Sequence, residues 1–199
     1  SLIEEIKLFF ETNSQTDKVF VIGGEYLEND LRTYFIEKFD ETFIGIPRRE
    51  DTSLIENLHL FVFDINGNLI NIHNQFSLSN EFQKKIINDG LQKIFISRGG
   101  LVETEGTHHY VFPSGKHCNK FLRTGNILIY SSEIYFIAYS LLKYLDIEKH
   151  TNIYCDTSSI ISVALALNEL VNRFNKKQVN LIIESFSSYE GLYKNNNNY

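Results

Sequence analysis

Apolar residues recur along this chain at two periods, and the two alternate. Leu2, Ile3, Ile6, Phe9 and Phe10 mark one face of a helix, after which "KVFVIGG" is a short apolar run stopped by two glycines, the pattern of a buried strand. Leu27, Leu31, Tyr34, Phe35 and Phe39 return to helical spacing. "LHLFVFDINGNLINI" then reads as two strands about Asn66-Gly67, a dipeptide suited to the positive φ of a tight hairpin turn. "SNEFQKKIINDGLQKIFISRGG" predicts a helix capped by Ser79 or Asn80, with Phe82, Ile86, Leu91, Ile94 and Phe95 on its apolar side and a stop at Gly99-Gly100. Gly90 inside it marks a break.

The second half continues the alternation. "LVETEGTHHYVF" predicts a pair of short strands around Glu105-Gly106, and "NKFLRTGNILI" another extended segment. "SSEIYFIAYSLLKYL" predicts a capped helix with Ile134, Ile137, Ala138, Leu141, Leu142 and Leu145 inward. "NIYC", "SSIISVALALNELVNRF" and "QVNLIIESF" follow as strand, apolar helix and strand, which predicts a parallel crossover with Ile153-Tyr154 beside Leu181-Ile183. The class is therefore α/β: a small N-terminal α/β unit over residues 1–76, then a second region over residues 77–199 with a parallel sheet and flanking helices.

The turn inside that crossover carries the most chemistry. Cys155-Asp156-Thr157-Ser158-Ser159 stands where the strand ends and the apolar helix begins. Two readings are open. Asp, Thr and Ser side chains accept hydrogen bonds from the unpaired N–H groups of a first helical turn, which makes a plain cap. The same N–H groups and the helix dipole attract phosphate or carboxylate, and ligands of α/β sheets gather at the carboxyl ends of strands.

Composition narrows the partners. With 199 residues and 43% hydrophobic content the chain can bury real cores, and a net charge of −6 without a basic stripe argues against general nucleic-acid binding. No apolar run reaches membrane-spanning length, so a membrane is not an expected partner. Two widely separated cysteines, Cys118 and Cys155, suggest free thiols in a reducing compartment, and the cytoplasm is the expected location. Ser1-Leu2 in a chain without methionine reads as a cloning or processing remnant, and the terminal "YKNNNNY" as a linker or frayed edge, so further sequence is expected on either side.

Other constellations are weaker. His108, His109, His117 and Cys118 lack any C-x-x-C or H-x-x-x-H spacing, and neighbouring histidines on a strand point to opposite faces, so no metal site is expected. "VIGGEY" lacks the full dinucleotide fingerprint, and Asp64 reads as the first residue of a turn. No Ser-His-Asp arrangement follows from spacing.

"VFPSGKHCNKF", followed by a capped helix, a strand and a small-residue turn into a helix, resembles the first half of the orotate phosphoribosyltransferase family over roughly Asn80 to Leu192. The resemblance implies a phosphoribosyltransferase-like parallel sheet and a hood segment that places Ser114, Gly115, Lys116 and His117 near a nucleobase. It implies that Asp156, Thr157, Ser158 and Ser159 wrap the pyrophosphate of phosphoribosyl pyrophosphate, with Lys116, Lys120 and Arg123 as cations for anionic groups, and with Mg2+ accompanying that substrate. The chain departs from the family's Gly-Pro-x-x-Gly-Gly loop, and Pro113 stands where orotate-specific members carry lysine, so orotate is not the expected substrate. The family's acidic ribose-phosphate loop is absent here; since "LIIESFSSYEGLY" fits the strand before it, the loop is expected beyond Tyr199, and the chain is read as either a fragment or a degenerate relative. Relatives with altered loops and extra N-terminal modules resemble bacterial conflict and phage-defence effectors, and the Asn-, Ile- and Lys-rich composition suits a low-GC bacterium. Two functions follow as expectations: transfer or cleavage at a phosphoribosyl group, or a non-catalytic module for nucleotide sensing or protein assembly. Residues 1–76 match no motif and are left as a lid, a homo-oligomer contact or an adaptor for a protein partner.

Overall fold

A computed structural model describes residues 2–12, 18–45, 54–73, 78–104, 108–111, 115–149, 151–175, 179 and 181–185. The chain divides into two compact units, Ser1–Asn80 and Glu81–Tyr199.

The first unit opens with α1 (Leu2–Thr12) and β1 (Val19–Gly24). The expected helix from Glu25 onward is a broken one. A 3-10 turn (Glu25–Leu27) leads into α2 (Glu28–Arg32), a π turn over Thr33–Glu37 whose Lys38 N–H donates to the Thr33 carbonyl, and α3 (Phe39–Thr42). Leu31 and Phe35, four residues apart and so on one face, are buried while Tyr34 is exposed. After α4 (Leu54–Asn57), β2 (Leu58–Phe63) runs parallel to β1 and antiparallel to β3 (Leu69–Asn71). Gly67 takes φ +77° in the β2–β3 turn, and the Asp64 carboxylate accepts the backbone N–H groups of Asn66 and Asn68. All six residues of β2 are buried, as the central strand of three should be. Its core joins Ile6 and Phe10 of α1 with Val21, Leu31, Phe35, Phe43, Leu60, Val62 and Ile72.

The boundary falls at the first residue of α5 (Asn80–Ser97), which opens the second unit and runs unbroken through Gly90. The break expected there does not occur. A side chain at position 90 would meet the Phe136 ring at 2.5 Å, so the glycine makes room for a neighbouring helix. β4 (Leu101–Glu103) pairs with β7 (Lys120–Leu122), and β5 (Tyr110–Val111) with β6 (His117–Cys118), all antiparallel. The two strands expected around Glu105-Gly106 thus pair with β7 and β6 and not with each other; the Thr104 N–H extends the β4–β7 pairing to the Asn119 carbonyl at 2.9 Å, while its hydroxyl donates locally to the His108 carbonyl at 2.7 Å. The extended segment expected from Asn119 ends at Leu122 and gives way to a helical turn, α6 (Thr124–Ile127). In α7 (Ser131–Leu141) Ala138, Tyr139 and Ser140 are buried and Leu141 is exposed, contrary to its expected inward place; a 3-10 turn (Leu142–Tyr144) follows with Leu142 inside.

β8 (Asn152–Cys155), a 3-10 turn (Ser158–Ile160), α8 (Ile161–Phe174) and β9 (Ile182–Ser185) complete the unit. β8 and β9 pair in parallel with Ile153 opposite Ile183 and Cys155 opposite Ser185, as the crossover predicts. The helix between them packs on α7 and buries Val163, Ala164, Ala166, Leu167, Leu170 and Val171. Two asparagines fasten the return: Asn172 Oδ1 accepts the Val179 N–H at 2.6 Å and Asn168 Oδ1 the Leu181 N–H at 3.2 Å. The architecture is mixed α/β built on small sheets.

Candidate functional site

The turn from Asp156 to Ser159 lies at the carboxyl end of β8, where the backbone leaves the strand through a bend and enters the 3-10 turn. Thr157 is the last extended residue, with φ −138° and ψ 152°. Neither it nor Ile160, which precedes α8, lends a side-chain oxygen to the helix. The plain-cap reading therefore fails at Thr157. Thr157 Oγ1 and Ser159 Oγ lie 2.8 Å apart and share a hydrogen bond with each other, and Ile160 has no polar side chain to offer. Asp156, Ser158 and Ser159 are exposed and Thr157 is half-buried. At the second residue of α8, the Ser162 hydroxyl oxygen is buried without a hydrogen-bond partner, an arrangement that costs about 1–3 kcal/mol when nothing satisfies the group.

Cys155 closes the strand beneath this turn and is almost fully buried. Burial, and secondarily the negative charge of Asp156, push its thiol pKa up, so it stays a neutral thiol. Cys118 is half-buried, and both cysteines are free.

The cationic candidates come from the antiparallel segments. Gly115 takes φ +78°, leading into Lys116 and His117, both exposed. Ser114 lies outside the described residues. Lys120 Nζ is held 2.9 Å from Glu103 across the β4–β7 pair. Arg123 donates its backbone N–H to the Gly100 carbonyl at 2.7 Å and carries its guanidinium 5.7 Å from the centre of the Phe121 ring. The helical turn that Arg123 introduces runs beside Ser158–Ile160. Of the residues singled out in the sequence, Arg123 thus immediately precedes the helical turn that neighbours the serine turn, while Lys116 and His117 stand on the β5–β6 hairpin and Lys120 is engaged by a carboxylate.

Two polar groupings escape a reading by sequence spacing. Arg98, at the end of α5, grips both oxygens of Glu133 in the first turn of α7 at 2.8 and 3.0 Å and lies 3.9 Å over the Tyr130 ring; that carboxylate raises the arginine pKa. His109 and His117 approach with ring centres 4.4 Å apart. Only the pairing of β5 with β6 reveals this contact.

No protein-family model, curated protein or solved structure matches the chain. Among the described residues no group of three or more His, Cys, Asp or Glu is placed to hold a metal ion, and no helix is long and apolar enough to cross a membrane.

Proposed function

We propose that the second unit is a phosphoribosyltransferase-like domain that binds the pyrophosphate of phosphoribosyl pyrophosphate, or of a related nucleotide, on the Asp156-to-Ser159 turn. The observation that carries this reading is the uncapped turn at the carboxyl end of β8 inside a parallel strand–helix–strand crossover. Backbone N–H groups at such a turn suit a diphosphate, and the Ser158 and Ser159 hydroxyls add donors that can rotate toward it. The buried, unpartnered Ser162 oxygen supports a site where a polar ligand or its water completes the hydrogen bonding. Asp156 fits only a metal complex of the diphosphate, since its charge repels a bare anion; Mg2+ would neutralise the phosphate oxygens and accept the carboxylate. Arg123 directly precedes the helical turn that neighbours Ser158–Ile160 and is the cation assigned to this role.

Calorimetry with the full-length gene product tests the proposal. Mg2+–phosphoribosyl pyrophosphate and Mg2+–pyrophosphate should bind the wild type, and Ser158→Glu should weaken both by about ten- to a hundredfold, the ~1.5–3 kcal/mol that hydrogen bonds to charged groups carry. No binding to wild type at millimolar ligand would sink the idea. Release of pyrophosphate in the presence of nucleobases would assign catalysis; binding without turnover would assign a sensing module on the same seat.

A further inference from the structure

The β5–β6 pairing sets Val111 opposite His117 and Tyr110 opposite Cys118. Side chains alternate along a strand, so His109, one residue before β5, falls on the face of His117, while His108 and Cys118 fall on the other. The ring contact agrees: the imidazoles of His109 and His117 stand 4.4 Å apart, tilted by 41°, and both residues are exposed. Imidazole nitrogens bind transition-metal dications such as Zn2+ at about 2.0–2.1 Å, so the ring centres of two adjacent ligands on one ion stand roughly 4.5 Å apart at a right-angled geometry and roughly 5.2 Å apart at a tetrahedral one. The two rings are already at nearly the first separation, and exposed side chains can make the remaining adjustment by rotation.

We propose that His109 and His117 form a two-imidazole site for a transition-metal dication of the Zn2+, Ni2+ or Cu2+ class. Nitrogen donors without carboxylates select these ions over Mg2+ and Ca2+. Water completes the coordination. The ion cross-links two strands of only two residues each, so its effect falls on the hairpin that also carries Lys116. This site is separate from the pyrophosphate seat and does not depend on it.

The test uses the full chain without a polyhistidine tag, titrated calorimetrically with Zn2+ in a phosphine reductant. One ion should bind per chain. His109→Asn and His117→Asn should each weaken binding by about tenfold or more, because loss of either ring removes the second, intramolecular attachment. His108→Asn and Cys118→Ser should leave the affinity unchanged. Hydrogen exchange at the amides of Tyr110, Val111, His117 and Cys118 should slow on adding Zn2+ to the wild type and not in the two pair variants. The proposal is overturned if the wild type binds no Zn2+ up to millimolar concentration, if either pair variant binds like the wild type, or if His108→Asn or Cys118→Ser abolishes binding.

Discussion

Gly90→Ala pits helix propensity against a single packing contact. In the middle of an exposed helix the change stabilises by about 1 kcal/mol, because glycine loses more backbone freedom on folding. Here the added carbon would stand 2.5 Å from Phe136 Cζ and 2.7 Å from Cε1. The ring must retreat by roughly 1 Å to restore an ordinary carbon–carbon contact of about 3.5 Å. Phe136 is half-buried beside Tyr139, its ring centre 6.0 Å away, which limits that retreat. Overpacking of this kind costs about 1–3 kcal/mol. A central value of about 2 kcal/mol leaves a net destabilisation of about 1 kcal/mol after the propensity gain. Removing the ring should reverse the sign: in a Phe136→Ala background, Gly90→Ala should stabilise by about 1 kcal/mol, for a coupling of about 2 kcal/mol. Urea unfolding followed by far-ultraviolet circular dichroism, with unchanged m values, measures all four corners of the cycle. Equal effects of Gly90→Ala in both backgrounds would refute the claim that the Phe136 contact is why glycine stands there.

Leu170→Ala should cost about 2–5 kcal/mol because the side chain is buried between α8 and its neighbours, whereas Leu165→Ala, on the exposed side of the same helix, should stay within about 0.5 kcal/mol; urea midpoints decide, and equal losses would contradict the assigned helix face. In the native protein Ellman's reagent should modify Cys118 well before Cys155, and both after denaturation, with site-specific mass spectrometry showing the order. Since the folded Cys155 pKa is raised, its contribution to stability is fully present below the ordinary thiol value of about 8.5 and is lost as pH rises through the folded value; a Cys155→Ala variant should show a shallower decline over that alkaline range, and an unchanged decline would contradict the assignment.

Where local chemistry fixes a conformation, the chain was readable. Asn66-Gly67 between apolar runs announces the β2–β3 turn, and strand, apolar helix, strand from Asn152 onward announces the parallel pairing of β8 with β9. Partner choice among strands of two or three residues was not readable, because such strands carry too little alternation to specify a register, and the ladder is set by contacts such as that of Thr104 N–H with the distant Asn119 carbonyl. The Asp-Thr-Ser-Ser turn was correctly placed at a strand end, but its composition could not reveal that Thr157 and Ser159 bond to each other and not to the helix. The fastenings by Asn168 and Asn172, and the meeting of His109 with His117, depend on tertiary geometry that no helical or strand period encodes.

The order of strands in the first unit also bears on how this chain leaves the ribosome. β2 and β3 are neighbours in sequence and can zip together as soon as both emerge, closing only the short loop from Asp64 to Asn68. β1 emerges earlier, yet its ladder partner is β2, and the whole crossover from Glu25 to Asn57 must be synthesised before the two can pair. For that interval Val19, Phe20, Val21 and Ile22 form an apolar, uncharged strand with bare hydrogen-bonding edges, the kind of segment that nascent-chain chaperones bind. A polysome carrying many copies of this message would hold many such strands close together, which makes the interval between the emergence of β1 and that of β2 the period of greatest risk for association between growing chains.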